Sequence, residues 1–398
     1  MTPPHHSSNR YLGQPQTQHQ SVKPRKASHV SISLDPLSTS SDGFNLSGGA
    51  SVVDAIRKLA TGTAKERNFL VFVNPFSGSK KATTVWANVC SELFRQAFIS
   101  VELIVTQDAG HATERVADGN ELSSYDGVVT VGGDGLLFEV LQGVKERSDA
   151  KEVFKNLTFG IIAAGSGNGL AKSVNHKNAE VHKPLENAFL ICKGNKTRTD
   201  LATYDTSDSK AYTAFLSLSW GIVADVDLES EVLRCLGPLR LDAYAVWRMI
   251  NLRKYRGRFS YFAGGGETGG MTDESMPKLG EPLGAGWEVI EDEFICFWAC
   301  QTTHASYDIY SSPNSTFGDG KFHVLLVRGS CSRWKLLKSF LAFETGSHLN
   351  QKHVEVIECS AFRLEPLTTK GHLSLDGEEV EYGAIQANVN QERCSLFA

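Results

Sequence analysis

Apolar residues follow two different rhythms along this chain, after an opening stretch that has few of them. Residues 1–62 are rich in Ser, Pro, His and Gln and poor in aromatics. Such a segment cannot bury enough surface to offset the entropy of ordering it. A disordered tail is expected there, with one short helix around Val52–Leu59. From Asn68 onward come short unbroken apolar runs: FLVFVN (69–74), VELIVT (101–106), GVVTV (127–131) and LTFGIIA (157–163). Runs of this length, bounded by turn residues, read as strands buried on both faces. Between them the spacing changes to threes and fours. Ala82, Val85, Trp86, Val89, Cys90, Leu93 and Ala97 share one helical face, a short helix is expected from His111, and GLLFEVLQGVKE (135–146) reads as another helix. The alternation predicts an α/β domain over 63–195 with a doubly wound parallel sheet. Such sheets present ligands at the carboxyl ends of their strands.

Beyond about residue 195 the rhythm becomes that of half-buried strands. TAFLSLS, GRFSYFA, FICFWAC, FHVLLV, VEVIE, FRLEP and AIQANV fit this pattern, broken by helices over 229–253 and 332–343. Residues 196–398 are therefore expected to form a mainly antiparallel β-sandwich, with a long flexible loop at 264–286. Trp247 and Met249 are expected in its core.

Composition narrows the function. The 398 residues suffice for two domains, and 40 basic against 45 acidic residues leave a net charge of −5. That balance gives no general attraction for nucleic acid. The eight cysteines are scattered without a CxxC pair, the pattern of reduced core thiols in the cytosol. No apolar run reaches the roughly 18 residues that a bilayer span needs. A cytoplasmic protein is expected, with any reversible membrane contact made by its folded surface.

The sharpest chemical signal is VVTVGGDGLLFEV (128–140). A strand runs into Gly132-Gly133-Asp134-Gly135 and a helix starts at once. Glycines let a ligand approach the backbone, and helix N-terminal N–H groups favour an anion. An ordinary N-cap is the bland reading of Asp134. Two further glycine turns share the same sheet edge, Asn74-Pro75-Phe76-Ser77-Gly78 and Ala164 to Leu170. Three such turns suggest a phosphate cradle, although none matches a Walker loop or GxGxxG. His111 is expected to orient the loop before its helix, and Lys80 and Lys81 to be a solvated helix start.

Together NPFSG, VGGDG and AAGSGN resemble the diacylglycerol-kinase-type catalytic domain of lipid kinases. LSLSWGIVADVDLESEVLRCLGPLR (216–240), LRKYRGRFSY (252–261) and LSLDGEEV (373–380) are similar to the sphingosine kinase family. The resemblance covers about residues 68–390, without the 264–286 loop. It implies ATP with Mg²⁺ as phosphoryl donor and the primary hydroxyl of a sphingoid base as acceptor. It makes Asp134 the catalytic base, with Gly132, Gly133 and Gly135 lining the reaction centre. ATP contacts fall on Asn74, Pro75 and Phe76, on Thr106, Gln107, Asp108, Ala109 and Gly110, on Glu139, and on Gly165, Ser166 and Gly167. Arg234 and Arg240 are implied to reach the phosphates. They are six residues apart, so a helix break between them, at Gly237-Pro238, is needed for both to face one ligand. Asp376, Gly377 and Glu378 are implied to lie near nucleotide and metal, with Mg²⁺ close to Asp376. Asp227 is implied to hold the ammonium head group. The alternatives are a diacylglycerol or ceramide kinase, a catalytically dead lipid-binding scaffold, and an NAD-kinase-like enzyme. Oligomeric state stays open, a homodimer included.

Overall fold

The computed structural model describes residues 66–119, 122–236, 239–262 and 271–398. The expected tail, the helix around Val52–Leu59 and the Gly237-Pro238 break lie outside them.

Strands β1 (Arg67–Val73), β2 (Ile99–Val105), β3 (Gly127–Gly132) and β4 (Thr158–Ala163) form a parallel sheet in the order β2-β1-β3-β4. Alternation along β1 puts Leu70 and Phe72 against one helical layer and Phe69, Val71 and Val73 against the other. Both faces are covered, so the run has no polar position to give. The first helical stretch is α1 (Ala82–Val85), a π-helical turn (Trp86–Cys90) and α2 (Ser91–Gln96). It packs with α7 (Pro184–Lys193) on one face. On the other lie α3 (His111–Asp118), α4 (Asp134–Glu146), α5 (Ala150–Asn156) and α6 (Gly169–Lys177). Because the four strands run parallel, the loops after all four open on one edge.

The remaining strands are antiparallel: β5 (Lys196–Thr206), β6 (Ala211–Ala214), β7 (Ser217–Gly221), β8 (Tyr255–Phe262), β9 (Trp287–Cys300), β10 (Phe322–Arg328), β11 (Glu355–Cys359), β12 (Ala361–Pro366), β13 (Leu373–Leu375), β14 (Glu378–Val380) and β15 (Ile385–Phe397). The first half of β9 pairs with β8, and its second half lies between β7 and β10. Rings from β8, β9, β10 and β12 meet in the core. Phe362 packs on Phe322, Phe297 and Phe259 at 4.9, 5.6 and 6.1 Å between centroids, spacings favourable for edge-on contact. The end of β15 then leaves this region and pairs in parallel with β4, at Ser395–Thr158 and Leu396–Phe159.

Four expectations are revised. The segment TAFLSLS is two strands, β6 and β7, because Phe215 and Leu216 between them direct their N–H groups at a side chain, Asp376. The helix expected over 229–253 is α8 (Ile222–Glu229), a 3-10 stretch (Ser230–Leu236) and α9 (Leu239–Ile250). On α9, Met249 is buried as expected, but Trp247 is 55% exposed. In the 264–286 loop, the described residues from 271 onward are anchored, not free. Arg363 donates to the Glu281 and Lys278 carbonyls at 2.7 and 2.9 Å, and Asn388 donates to Asp273 at 2.7 Å. The helix expected over 332–343 is α10 (Arg333–Ala342), from which Trp334 and Leu341 project into solvent.

Candidate active site

The three glycine turns meet as closely as backbones can. The N–H groups of Ala164 and Gly165 both donate to the Gly132 carbonyl, at 2.8 and 3.0 Å, and Gly133 N–H donates to Ser77 Oγ at 3.3 Å. A Cβ on Gly165 would lie 2.3 Å from Gly133 Cα, and one on Gly78 would lie 2.7 Å from the Gly165 carbonyl carbon. Only glycine permits this approach. Asn168, in a left-handed conformation at φ +58°, closes the third turn by accepting from Gly165 N–H at 2.9 Å.

Asp134 sits at the head of α4 with its carboxylate turned across to the head of α6. Oδ2 accepts from Gly169 N–H at 2.8 Å and Oδ1 from Leu170 N–H at 3.1 Å. It is thus a cap of the neighbouring helix rather than of its own. Burial pushes its pKa up, against those two N–H groups. A carboxylate raised by burial and held in fixed orientation is suited to accept a proton.

The loop after β2 has its backbone in place. Thr106 is buried and donates through its N–H to the Val73 carbonyl at 2.9 Å, while Gln107, Asp108 and Ala109 are exposed. Gly110 adopts φ +86° as it enters α3. His111 Nδ1 accepts from Gln107 N–H at 3.1 Å, so it orients this loop. Glu139, further along α4 than Asp134, faces the same loop; burial pushes it up, against the N–H groups of Gly110 and Ala112. Asn74 Oδ1 folds the first glycine turn by accepting from Phe76 N–H at 2.9 Å, leaving Pro75 half-buried and the Phe76 ring outside.

The antiparallel part contributes the opposite wall. Asp376, at φ +52°, directs its carboxylate into the fold, accepting from the N–H groups of Phe215, Leu216 and Ser217 at 2.9, 3.0 and 2.9 Å. Burial still pushes it up, to about 7, and Asp134 adds to the shift. Its carboxylate therefore locks the turn, and the acid presented to the site is Glu378, across Gly377. A Cβ on Gly135 would lie 2.7 Å from Glu378 Oε1. Glu378 is exposed at its tip, yet loss of solvent on its inner side raises its pKa, helped by Glu139, Asp227 and Glu231. Asp227 is half-buried; burial raises it, opposed by a hydrogen bond from Ser374 at 2.8 Å and by the charge of Arg240. Arg240 is paired with Glu231. The Arg234 side chain lies outside the described residues.

A strap after β9 joins the two walls. Tyr307 N–H donates to the Gly167 carbonyl at 2.9 Å and His304 N–H to Ser173 Oγ at 3.1 Å. His304 stacks on Tyr310 at 4.5 Å, and Tyr310 Oη meets His176 Nε2 at 3.2 Å. Ser166, between Gly165 and Gly167, is exposed beside this strap.

The family described as diacylglycerol kinase catalytic domain matches residues 68–204. Sphingosine kinase 1 of Mus musculus is 33% identical over 342 residues, spanning 81% of this chain and 88% of that protein. The chain belongs to the sphingosine kinase family. Sphingoid long chain base kinase 4 of Schizosaccharomyces pombe is 29% identical over 349 residues, covering 82% of this chain and 74% of that one. A solved diacylglycerol kinase from Bacillus anthracis shares the fold, with a TM-score of 0.55 at 16% identity over 83% of this chain and 96% of that one. As a lipid kinase of the sphingosine kinase type, the protein takes its phosphoryl group from ATP and passes it to a lipid.

The glycine turns fit such a donor. Gly133 and Gly167 have room for a Cβ, which would meet Gly165 Cα at 3.4 Å and Asp134 Oδ2 at 3.6 Å, so the space before them is open to a ligand. Among the described residues, no three His, Cys, Asp or Glu side chains gather into a metal-binding set. Mg²⁺ in phosphoryl-transfer sites takes one or two carboxylates and completes its shell with phosphate and water, and Glu378 is placed to be such a carboxylate. Sequence reasoning overlooked Ser77, Asn168, Ser374 and the His304–Tyr307 strap. The first three stand inside the quoted motifs, where position alone gave them no partner.

Proposed function

We propose that this protein phosphorylates the primary hydroxyl of sphingosine or a related long-chain base, giving its 1-phosphate. The carrying observation is Asp227, a half-buried carboxylate whose hydrogen bond comes from one serine and which lies within electrostatic reach of Glu378, the acid that faces Gly135 of the GGDG turn. A neutral lipid head gives no reason to hold an acid there; an ammonium does, since charge-assisted hydrogen bonds are the strong ones.

In this reading Asp134 receives the hydroxyl proton, and the N–H groups of Gly169 and Leu170 keep its carboxylate oriented. Backbone at Gly132, Gly133, Gly135, Gly165, Ser166 and Gly167 borders the phosphates. Asn74, Pro75 and Phe76, the Thr106–Gly110 loop and Glu139 border the rest of the nucleotide, and Arg240 leaves Glu231 for the phosphates, joined by Arg234. Mg²⁺ at Glu378 would neutralise phosphate oxygen charge, the main demand of this reaction. Asp376 and Gly377 act through the shape of the turn. The hydrocarbon tail follows the apolar layer between α8, α9 and α10 and strands β9 and β10, where Ile222, Met249, Leu325 and Leu336 are buried. We read the protein as cytoplasmic, meeting membranes reversibly; exposed Trp247, Ile250 and Trp334 support the membrane contact.

The test is ATP-dependent phosphate transfer to sphingosine, diacylglycerol and ceramide side by side. Transfer to sphingosine above the other two is expected; preference for either neutral lipid would reverse the assignment.

A further inference from the structure

Ser374 is a polar residue in a place that favours an apolar one. It sits in the middle of β13 between Leu373 and Leu375, both wholly buried, and is itself 2% exposed. Strand alternation turns it to the opposite side from those leucines. Its neighbours across the ladders are Ser219 on β7 and Glu379 on β14. A hydroxyl buried there is costly unless it is bonded, and Ser374 Oγ donates to Asp227 Oδ2 at 2.8 Å.

The strand that carries it is fixed at both ends. Pairing with β7 holds one side, and two residues later Asp376 takes two N–H groups from the turn before β7 and that of Ser217 at its start. The serine therefore cannot follow Asp227 if that side chain rotates; it constrains the carboxylate instead. One proton on Oγ satisfies one oxygen, Oδ2. No hydrogen bond within the described residues reaches Oδ1. Among the described residues, the positive charge that acts on Asp227 is that of Arg240 on α9.

We infer that Ser374 is a positioning residue for the lipid head group: its bond to Oδ2 holds the Asp227 carboxylate off Arg240 and presents Oδ1 to the substrate ammonium. This rests on the long-chain-base reading above. The role belongs to binding of the base, not to ATP or to proton transfer. Ser374 orients the acceptor without touching the ligand itself, so its loss should cost only part of the head-group contact, roughly 3- to 10-fold in binding.

The experiment is steady-state kinetics on the full chain, unaltered and with Ser374→Ala or Ser374→Thr, using sphingosine as acceptor. In Ser374→Ala, KM for sphingosine should rise roughly 3- to 10-fold, while kcat and KM for ATP stay within about twofold. Ser374→Thr keeps the hydroxyl and should return KM toward the starting value. An unchanged KM in Ser374→Ala, or equal losses in kcat, KM for ATP and KM for sphingosine, would overturn the inference while leaving the substrate reading intact. No recovery in Ser374→Thr, with normal ATP kinetics, would also count against it. Failure of the unaltered protein to phosphorylate sphingosine would end the substrate reading and this inference together.

Discussion

Asp225 and Asp227 stand two residues apart on α8 and have unlike partners. Asp225 is wholly buried and ion-paired with Arg248 at 2.7 Å, with Tyr255 donating to both its oxygens. Asp227 has Ser374. One acid is wholly enclosed by partners within the fold, and the other is partly open to solvent.

The two should separate cleanly on mutation. Asp225→Asn breaks a buried pair and leaves Arg248 without its counter-ion, a change worth about 3–5 kcal/mol of stability. Asp227→Asn should leave the melting temperature nearly unchanged and lower kcat/KM for sphingosine roughly 10- to 150-fold, from a charge-assisted bond of about 1.5–3 kcal/mol. Thermal unfolding and kinetics on both variants check this; equal behaviour would mean that the surroundings of the two acids do not set their roles.

Asp134→Asn is expected to be inactive and also somewhat less stable. Loss of a general base costs about 10²–10⁴ in rate. The amide would also turn an N–H₂ toward Gly169 or Leu170 N–H, removing one of two caps on α6, an effect of about 1 kcal/mol. Turnover near normal would dismiss the base assignment, and an unchanged melting temperature would dismiss the capping role.

Gly165 and Gly133 should respond differently to alanine. At Gly165 the added carbon would lie 2.3 Å from Gly133 Cα, so two backbones must part. Gly165→Ala should lower both stability and activity. At Gly133 the nearest contact is an ordinary 3.4 Å, so Gly133→Ala should fold normally and raise KM for ATP by crowding the ligand alone. Melting curves and ATP titrations distinguish the two.

His304 should make the protein acid-sensitive. Burial lowers its pKa from 6.5 to about 3, with His176, Lys172 and His182 contributing. Below pH 6.5 the unfolded chain takes up a proton that the folded one refuses, so stability is full above that pH and falls progressively toward pH 3. In His304→Asn the slope of stability against pH should flatten over this interval, measured by denaturant unfolding at several pH values. An unaltered slope would place the acid sensitivity elsewhere.

Much of this was legible in the chain. The parallel strands were readable because β1, β3 and β4 are covered on both faces and so carry unbroken apolar runs. The GGDG turn was readable because its glycines interrupt an apolar strand immediately before a helix, although the backbone contacts that demand glycine fall on Gly165 and Gly78. What could not be read were partnerships set by distant pairing. The split between β6 and β7 depends on Asp376, about 160 residues away, taking the turn's N–H groups. Asp225 and Asp227 look alike in DVDLESE, and only Arg248, Tyr255 and Ser374, brought in by other elements, tell them apart. Trp247 on α9 has core-like chemistry but lies on the outward side of its helix, which spacing alone did not resolve.

The pairing of β15 with β4 bears on how the chain is made. Strand β4 is complete once residue 163 has been synthesised, yet its neighbour on that side includes Ser395 and Leu396. Until those residues emerge from the ribosome, the nascent α/β layer carries an open β4 edge, a ready template for wrong pairing. Contacts this remote in sequence also delay productive folding. Closing the nucleotide-side sheet therefore waits on β15, more than 200 residues after β4, and the exposed β4 edge is the place where an incomplete chain would mispair.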